Sequence, residues 1–301
     1  FFRARRQNQM IKGMFSHYVS EAFVNELISN PEKLKLGGEN KTLSVMFSDI
    51  QGFSSFSQDM NPQQLVSLMN EFLNEMTNII LNNSGTLDKY VGDEVMAFWG
   101  APIEIDNHAY LACKSAIEMR QKTDELKQKW SQRKLIPVDM RTGINTGEVV
   151  VGNIGGSQRF DYTVMGDSVN LASRLEGANK QYGTYIMINE STYEAVKDHF
   201  FGRELDKITV KGRTIPTKVY ELIGMRDDPK AKERIDLLNE YFEGLKAYKE
   251  RNFREAAEHF RKSFQQNEND HPSKVYLERS EIYTANPPSD DWDGVFKMET
   301  K

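Results

Sequence analysis

Apolar residues recur at helical spacing through Leu65, Leu68, Met69, Phe72, Leu73, Met76, Ile79 and Ile80, which predicts a long amphipathic helix with a core-facing stripe. Its start is marked by Asn61 as N-cap, Pro62 as first helical residue and Gln64 three positions after the cap. Ahead of it, Leu43 to Asp49 is a short apolar run of strand type, preceded by a linker over Lys35 to Lys41 that contains Gly37-Gly38. After Asn82-Asn83-Ser84-Gly85, two strand-like runs flank Gly92-Asp93 and predict a hairpin with Asp93 at its turn. A helix over Asn107 to Trp130 follows. Then come two strands, Val138 to Asn145 and Glu148 to Ile154, joined through Thr146-Gly147, and a third, Arg159 to Met165. Gly166-Asp167 leads into a short helix ending near Gly177, and strands at Tyr185 to Ile188, Phe201 to Val210 and Lys218 to Leu222 complete the domain. This order suits an α+β sandwich of ferredoxin-like type with a mainly antiparallel sheet, rather than a doubly wound parallel sheet.

Both ends of the chain have a different texture. Residues 1–41 read as an N-terminal amphipathic helix and linker, with Met10, Met14, Tyr18, Phe23, Val24 and Leu27 near helical spacing and Asn30-Pro31 as stop. Phe1-Phe2-Arg3-Ala4-Arg5-Arg6 fits equally the cytoplasmic flank of a membrane anchor and a chain end with a few surface arginines. Past Asp227-Asp228-Pro229, residues 229–301 become helical and charged. Gly244, Phe253, Ala256 and Phe260 there match the small and aromatic positions of a tetratricopeptide repeat. Too few repeats exist for a solenoid, so a short helical cap docked on the domain of residues 42–224 outranks a peptide-binding groove.

Composition narrows the partners. The 301 residues are 39% hydrophobic and 28% charged, enough for one sizeable domain with appendages. A net charge of −5 without a Lys/Arg tract argues against a nucleic-acid surface and for a small ligand or a protein. Cys113 is the only cysteine and lies in an apolar-periodic stretch, so it reads as a small core residue. The five histidines never form a metal-spaced pair, which disfavours a zinc site. No window approaches the roughly 20 apolar residues of a membrane span.

Candidate chemistry begins with Asp49 in Phe47-Ser48-Asp49-Ile50-Gln51-Gly52-Phe53-Ser54 and Asp93 in Lys89-Tyr90-Val91-Gly92-Asp93-Glu94-Val95. Either one alone is an ordinary turn aspartate. As a pair at one sheet edge, they have the layout of a site for hard divalent cations and phosphoryl transfer. On the helix Ser168 to Glu176, Val169, Leu171, Ala172 and Leu175 share one arc, which turns Asn170 and Arg174 together to the opposite side.

The segments Phe47 to Ser54, Lys89 to Ala97, Met140 to Gly147, Tyr162 to Arg174 and Val210 to Tyr220 resemble the class III nucleotidyl cyclases, the adenylate and guanylate cyclase catalytic domain. The resemblance runs from about Leu43 to Leu222, with several motifs in the right order. It implies that Asp49 and Asp93, with the Ile50 carbonyl, bind two divalent metal ions, Mg²⁺ or Mn²⁺. It assigns backbone N–H groups of Gly52, Phe53 and Ser54 to the β- and γ-phosphates, Asn170 to the ribose, Arg174 to the transition state, and Arg141 and Lys211 to the triphosphate. Lys89 and Thr163 align with the two purine-reading positions, where guanylate cyclases carry an acidic residue and a cysteine. Lysine only donates, which suits adenine N1 and clashes with guanine N1–H. Threonine can accept from the adenine amino group or donate to the guanine carbonyl, so it discriminates weakly. Threonine in place of the aspartate of many adenylate cyclases resembles the class IIIb subgroup, some members of which respond to bicarbonate. The resemblance thus implies ATP as substrate, cyclic AMP and pyrophosphate as products, and a head-to-tail homodimer that shares its sites. The rivals are a guanylate cyclase and a catalytically silent dimerisation or scaffold module. A diguanylate cyclase is disfavoured, because Val91-Gly92-Asp93-Glu94-Val95 lacks the first glycine and the phenylalanine of that family's signature.

Overall fold

The computed structural model describes residues 36–133, 135, 138–209 and 216–297. The expected N-terminal helix and Lys211 lie outside the described residues. The chain divides into two compact units, the first running to Asp139 and taking in Thr146–Asn170, the second formed by Met140–Asn145 and everything from Leu171.

In the first unit, β1 (Gly37–Ile50) pairs antiparallel with β3 (Glu94–Trp99), which pairs with β2 (Thr86–Val91). Helix α1 (Phe53–Asp59) follows β1 directly. Helices α2 (Pro62–Asn82) and α3 (His108–Gln132) pack on one another and onto these strands. The predicted stripe on α2 is core, with Leu68, Met69, Phe72, Met76 and Ile80 buried. The Asn61 side chain caps this helix by accepting from Gln63 N. Ala112, Cys113, Ala116, Met119 and Trp130 of α3 are buried, and the helix packs on β1 and β3, in which Val45, Ala97, Phe98 and Trp99 are fully buried, alternating between the two faces. The result is the two-layer α+β sandwich expected from element order.

Glycine departs from the expected role in two places and a Thr-Gly pair in a third. Gly37-Gly38 is no linker: it begins β1, and a Cβ on Gly38 would lie 2.6 Å from a Val150 methyl. The pair marks a crowded strand contact. Thr146-Gly147 does not turn the chain, because one strand, β4 (Met140–Gly156), runs straight through it. The Thr146 hydroxyl is spent on Ser44 Oγ at 2.7 Å, and the later part of β4 pairs with β5 (Arg159–Met165) from Val150↔Met165 to Gly156↔Arg159. Helix α4 (Asp167–Tyr182) likewise passes Gly177 and stops at Gly183, whose φ of +63° is the left-handed stop. Asn179 holds the continuation, its amide donating to Thr142 O, Leu175 O and Glu176 O.

In the second unit, the start of β4 pairs in parallel with β6 (Ile186–Asn189), which pairs antiparallel with β8 (Thr217–Met225). Next to β8 lies β7 (Phe200–Thr209), which takes β9 (Val295–Lys297) in parallel. A one-turn-plus helix α5 (Glu190–Val196), missed in the sequence, is capped by Asn189 accepting from Thr192 N. Leu171, Leu175, Ala178 and Tyr182 of α4 pack against Met187, Leu205, Ile208 and Val219. Gly143 lets α4 lie directly on β4, because a Cβ there would sit 2.2 Å from Glu176 N and 2.3 Å from Ala172 O.

Four helices follow β8: α6 (Pro229–Asp236), α7 (Asn239–Lys249), α8 (Phe253–Gln266) and α9 (His271–Ala285). Tyr241, Tyr248, Phe253, Phe260 and Tyr276 form their aromatic core, with Gly244 against the Phe260 ring. Buried ion pairs fasten these helices to the sheet of the same unit. Arg203 binds Glu221 at 2.8 Å and Asp270 at 2.7 Å, and Arg279 binds Asp206 at 2.5 Å. Burial opposes ionisation of Glu221, yet Arg203 and Arg234 hold its carboxyl below the usual carboxylate range.

Candidate active site

Antiparallel register brings the two predicted aspartates together. Ser48 stands opposite Val95, so one step further along the ladder Asp49 falls opposite Glu94 and beside Asp93. Asp93 occupies the two-residue turn between Val91 and Glu94, where Gly92 supplies the left-handed φ of 68° that such a turn needs. The two carboxyls are close enough to act on each other. Burial first, then the neighbouring Asp49 carboxyl, push the Asp93 pKa up to about 7. Carboxylates this close resist joint ionisation unless a cation sits with them.

The chemistry of the donor set fits such a cation. Asp93 Oδ2 is buried without a hydrogen-bond partner, and Ile50 N donates to Asp49 Oδ1 at 2.8 Å, fixing that carboxylate's orientation. Among the described residues, no group of three or more His, Cys, Asp or Glu side chains forms a metal cage. Two carboxylates and a backbone carbonyl completed by substrate phosphates is the usual arrangement for Mg²⁺, which rarely uses an all-protein cage.

Gly52, Phe53 and Ser54 sit where β1 gives way to α1. Gly52 has φ of 76° and empty space around a would-be Cβ, so the backbone conformation is what requires glycine here. Gln51 N donates to Asp139 O at 2.8 Å, which anchors this loop beside the end of β1.

Lys89 and Thr163 are also brought together, through a residue that no motif singles out. Pairing of β2 with β3 slips between Leu87 and Lys89, so Asp88 is a bulge residue. In a regular strand Asp88 and Lys89 would face opposite sides; the bulge re-aims one of them. Asp88 Oδ1 lies 3.2 Å from Lys89 Nζ, and Thr163 Oγ1 donates to Asp88 Oδ2 at 2.5 Å. The Asp88 side chain is only 1% exposed while Lys89 keeps 40%. No strand-period rule reveals a bulge in advance, which is why Asp88 went unnoticed.

Asn170 and Arg174 lie one turn apart on α4, Asn170 exposed and Arg174 half-buried, with the apolar arc of Val169, Leu171, Ala172 and Leu175 buried. Gly166, with φ of +140°, accepts from Val169 N and Asn170 N and so starts the helix. Arg141 is half-buried on β4.

Comparison with known proteins gives this arrangement a class. The sequence model of the adenylate and guanylate cyclase catalytic domain matches residues 38–224, more than half of the chain. The chain belongs to that family. It is 32% identical over 211 residues to adenylate cyclase 1 of Rhizobium meliloti, a match covering 70% of this chain and 32% of that protein. The crystal structure of the adenylyl cyclase CyaB from P. aeruginosa superposes with a TM-score of 0.60 at 40% identity, covering 64% of this chain and 99% of that one. The guanylyl cyclase Cya2 gives a TM-score of 0.59 at 33% identity, over 64% of this chain and 98% of that one. The chain spans less than half the length of the curated relatives it matches. Among the described residues, no helix is long and apolar enough to cross a membrane.

Proposed function

We propose that this chain is the catalytic region of an adenylate cyclase, converting ATP to 3′,5′-cyclic AMP and pyrophosphate at two equivalent sites shared across a head-to-tail homodimer. The observation that carries the reading is the acidic pair: Asp49 beside Asp93 across the strand end, with one buried Asp93 oxygen lacking a partner. Asp49, Asp93 and the Ile50 carbonyl would hold two divalent ions, Mg²⁺ or Mn²⁺, which when bound make the ribose 3′-hydroxyl more acidic and neutralise triphosphate charge.

The chain's own residues do the rest by position and charge. The 3′-oxygen forms a bond to the α-phosphorus while the bond to the pyrophosphate oxygen breaks, and the hydroxyl proton leaves to solvent. Asn170 orients the ribose. Arg174 donates to the α-phosphoryl oxygens as charge develops on them. Backbone N–H groups of Gly52, Phe53 and Ser54, with Arg141 and Lys211, bind the triphosphate. Lys89 donates to adenine N1 and Thr163 accepts from the 6-amino group. Guanylate cyclase activity is the second reading, favoured by the likeness to Cya2.

Purified dimeric protein supplied with Mn²⁺ and either ATP or GTP should release cyclic AMP well in excess of cyclic GMP. A preference for GTP would overturn the substrate assignment, and absence of either product would leave a scaffold module. Asp93→Ala should be inactive and Arg174→Ala severely impaired alone, and activity should rise when the two are mixed. Failure to complement in a mixture proven to form heterodimers would exclude shared sites.

A further inference from the structure

We infer that Asp88 sets the purine preference, by accepting the hydrogen bond of the Thr163 hydroxyl and so leaving that hydroxyl able only to accept from the base. The inference rests on the reading of Lys89 and Thr163 as base-contacting residues. Taken alone, threonine is ambiguous toward purines, since its hydroxyl can accept from an amino group or donate to a carbonyl. The surroundings of Asp88 remove the ambiguity.

An ionised carboxylate can only accept. Burial dominates and leaves the Asp88 pKa raised, while Thr163 and the Val164 backbone N–H as donors and Lys89 as a cation 3.2 Å from Oδ1 act in the opposite sense, favouring the carboxylate. Lys89 and the Val164 amide can do nothing else. The proton between Thr163 Oγ1 and Asp88 Oδ2 therefore belongs to threonine and points inward, away from the base. What Thr163 offers outward is lone pairs.

Paired with the Lys89 ammonium, this yields one donor and one acceptor for the Watson–Crick edge. Adenine complements both, through N1 and its 6-amino group. Guanine opposes both, setting N1–H against the ammonium and O6 against the lone pairs. Because Asp88 contacts both readers from a bulge at 1% exposure, it fixes their polarity without being placed to meet the base itself. It is a positioning residue.

The isosteric change Asp88→Asn tests this. An amide N–H can donate to Thr163 Oγ1, which frees the hydroxyl proton to turn toward O6 of guanine. The ATP-over-GTP ratio of kcat/KM should fall about tenfold or more, the range expected when a buried polar contact is mispaired. The ratio of Kd values for the α,β-methylene analogues of ATP and GTP should fall with it. In a Thr163→Val background most of that effect should vanish. An unchanged ratio in folded Asp88→Asn protein, or an equal change in both backgrounds, overturns the inference.

Should Asp88→Asn fail to fold, Thr163→Val alone decides the matter. It should weaken the ATP analogue and spare or strengthen the GTP analogue, whereas equal loss for both refutes the fixed polarity. Because the Kd ratio needs no turnover, a wild-type protein that makes no cyclic nucleotide would defeat the proposed activity while these binding data still judge Asp88.

Discussion

Replacing Asp93 by asparagine should make the protein more stable as well as inactive, and the gain should depend on pH in a defined direction. Asp93 titrates at about 7 in the folded chain against 3.8 for an unperturbed aspartate. Native protein thus keeps a proton that the unfolded chain releases. The corresponding stability is fully present below pH 3.8 and is lost as pH rises through about 7. That displacement sets a ceiling of about 4 kcal/mol, at 1.36 kcal/mol per pH unit. Solvent screening of this half-buried group, together with adjustment of Asp49, reduces the figure to about 1–2 kcal/mol. Thermal unfolding without divalent ions should therefore give Asp93→Asn a midpoint a few degrees above wild type at pH 8, with the gap closing toward pH 5. Adding Mg²⁺ or Mn²⁺ at pH 8 should stabilise wild type and leave the variant nearly unmoved. A variant no more stable than wild type at pH 8, or a gap equal at both pH values, would refute the electrostatic reasoning.

Three other outcomes follow from the same geometry. Arg174→Ala should lower kcat on the order of 10²-fold with KM and melting midpoint little changed, because the guanidinium acts on charge that appears only in the transition state. Gly143→Ala should cost about 3 kcal/mol or more in denaturant titration, since its methyl would meet backbone of α4 at 2.2 Å and a helix backbone cannot step aside cheaply. Arg279→Leu should destabilise by about 3–5 kcal/mol by stranding Asp206, which is 3% exposed, and adding Asp206→Asn should recover part of that loss.

How far residues alone revealed this molecule depended on the kind of information each position carried. Periodicity located α2 and α3, and Asn61-Pro62 and Gly92-Asp93 fixed a helix start and a hairpin through local chemistry that tertiary structure does not override. Glycine was the weak signal, because it serves opposite ends. Gly92 and Gly183 are turn formers by φ, whereas Gly38 and Gly143 are spacers between crowded backbones, and Gly177 is simply tolerated inside a helix. Asp49 and Asp93 were readable as a pair because the hairpin and the neighbouring strand dictate their meeting. Asp88 was not, since its role depends on a slipped register and on a threonine 75 positions away. The buried charges Arg203, Asp206 and Glu221 and the half-buried Arg279 were equally invisible, because a charged residue in sequence looks like surface until its partner is known.

Tyr182, at the far end of the helix that carries Asn170 and Arg174, donates to Asp206 at 2.6 Å, and Arg279 closes the same contact from α9. Trimming the polypeptide to residues 38–224, the stretch matched by the cyclase family, would amputate Arg234, Asp270 and Arg279 at one stroke. Asp206 would then stand as a widowed ion, and Arg203 and Glu221 would keep only each other, on a bared apolar face. A minimal fragment drawn along the family boundary is therefore expected to come out of cells as aggregate, and the practical unit of expression extends through α9.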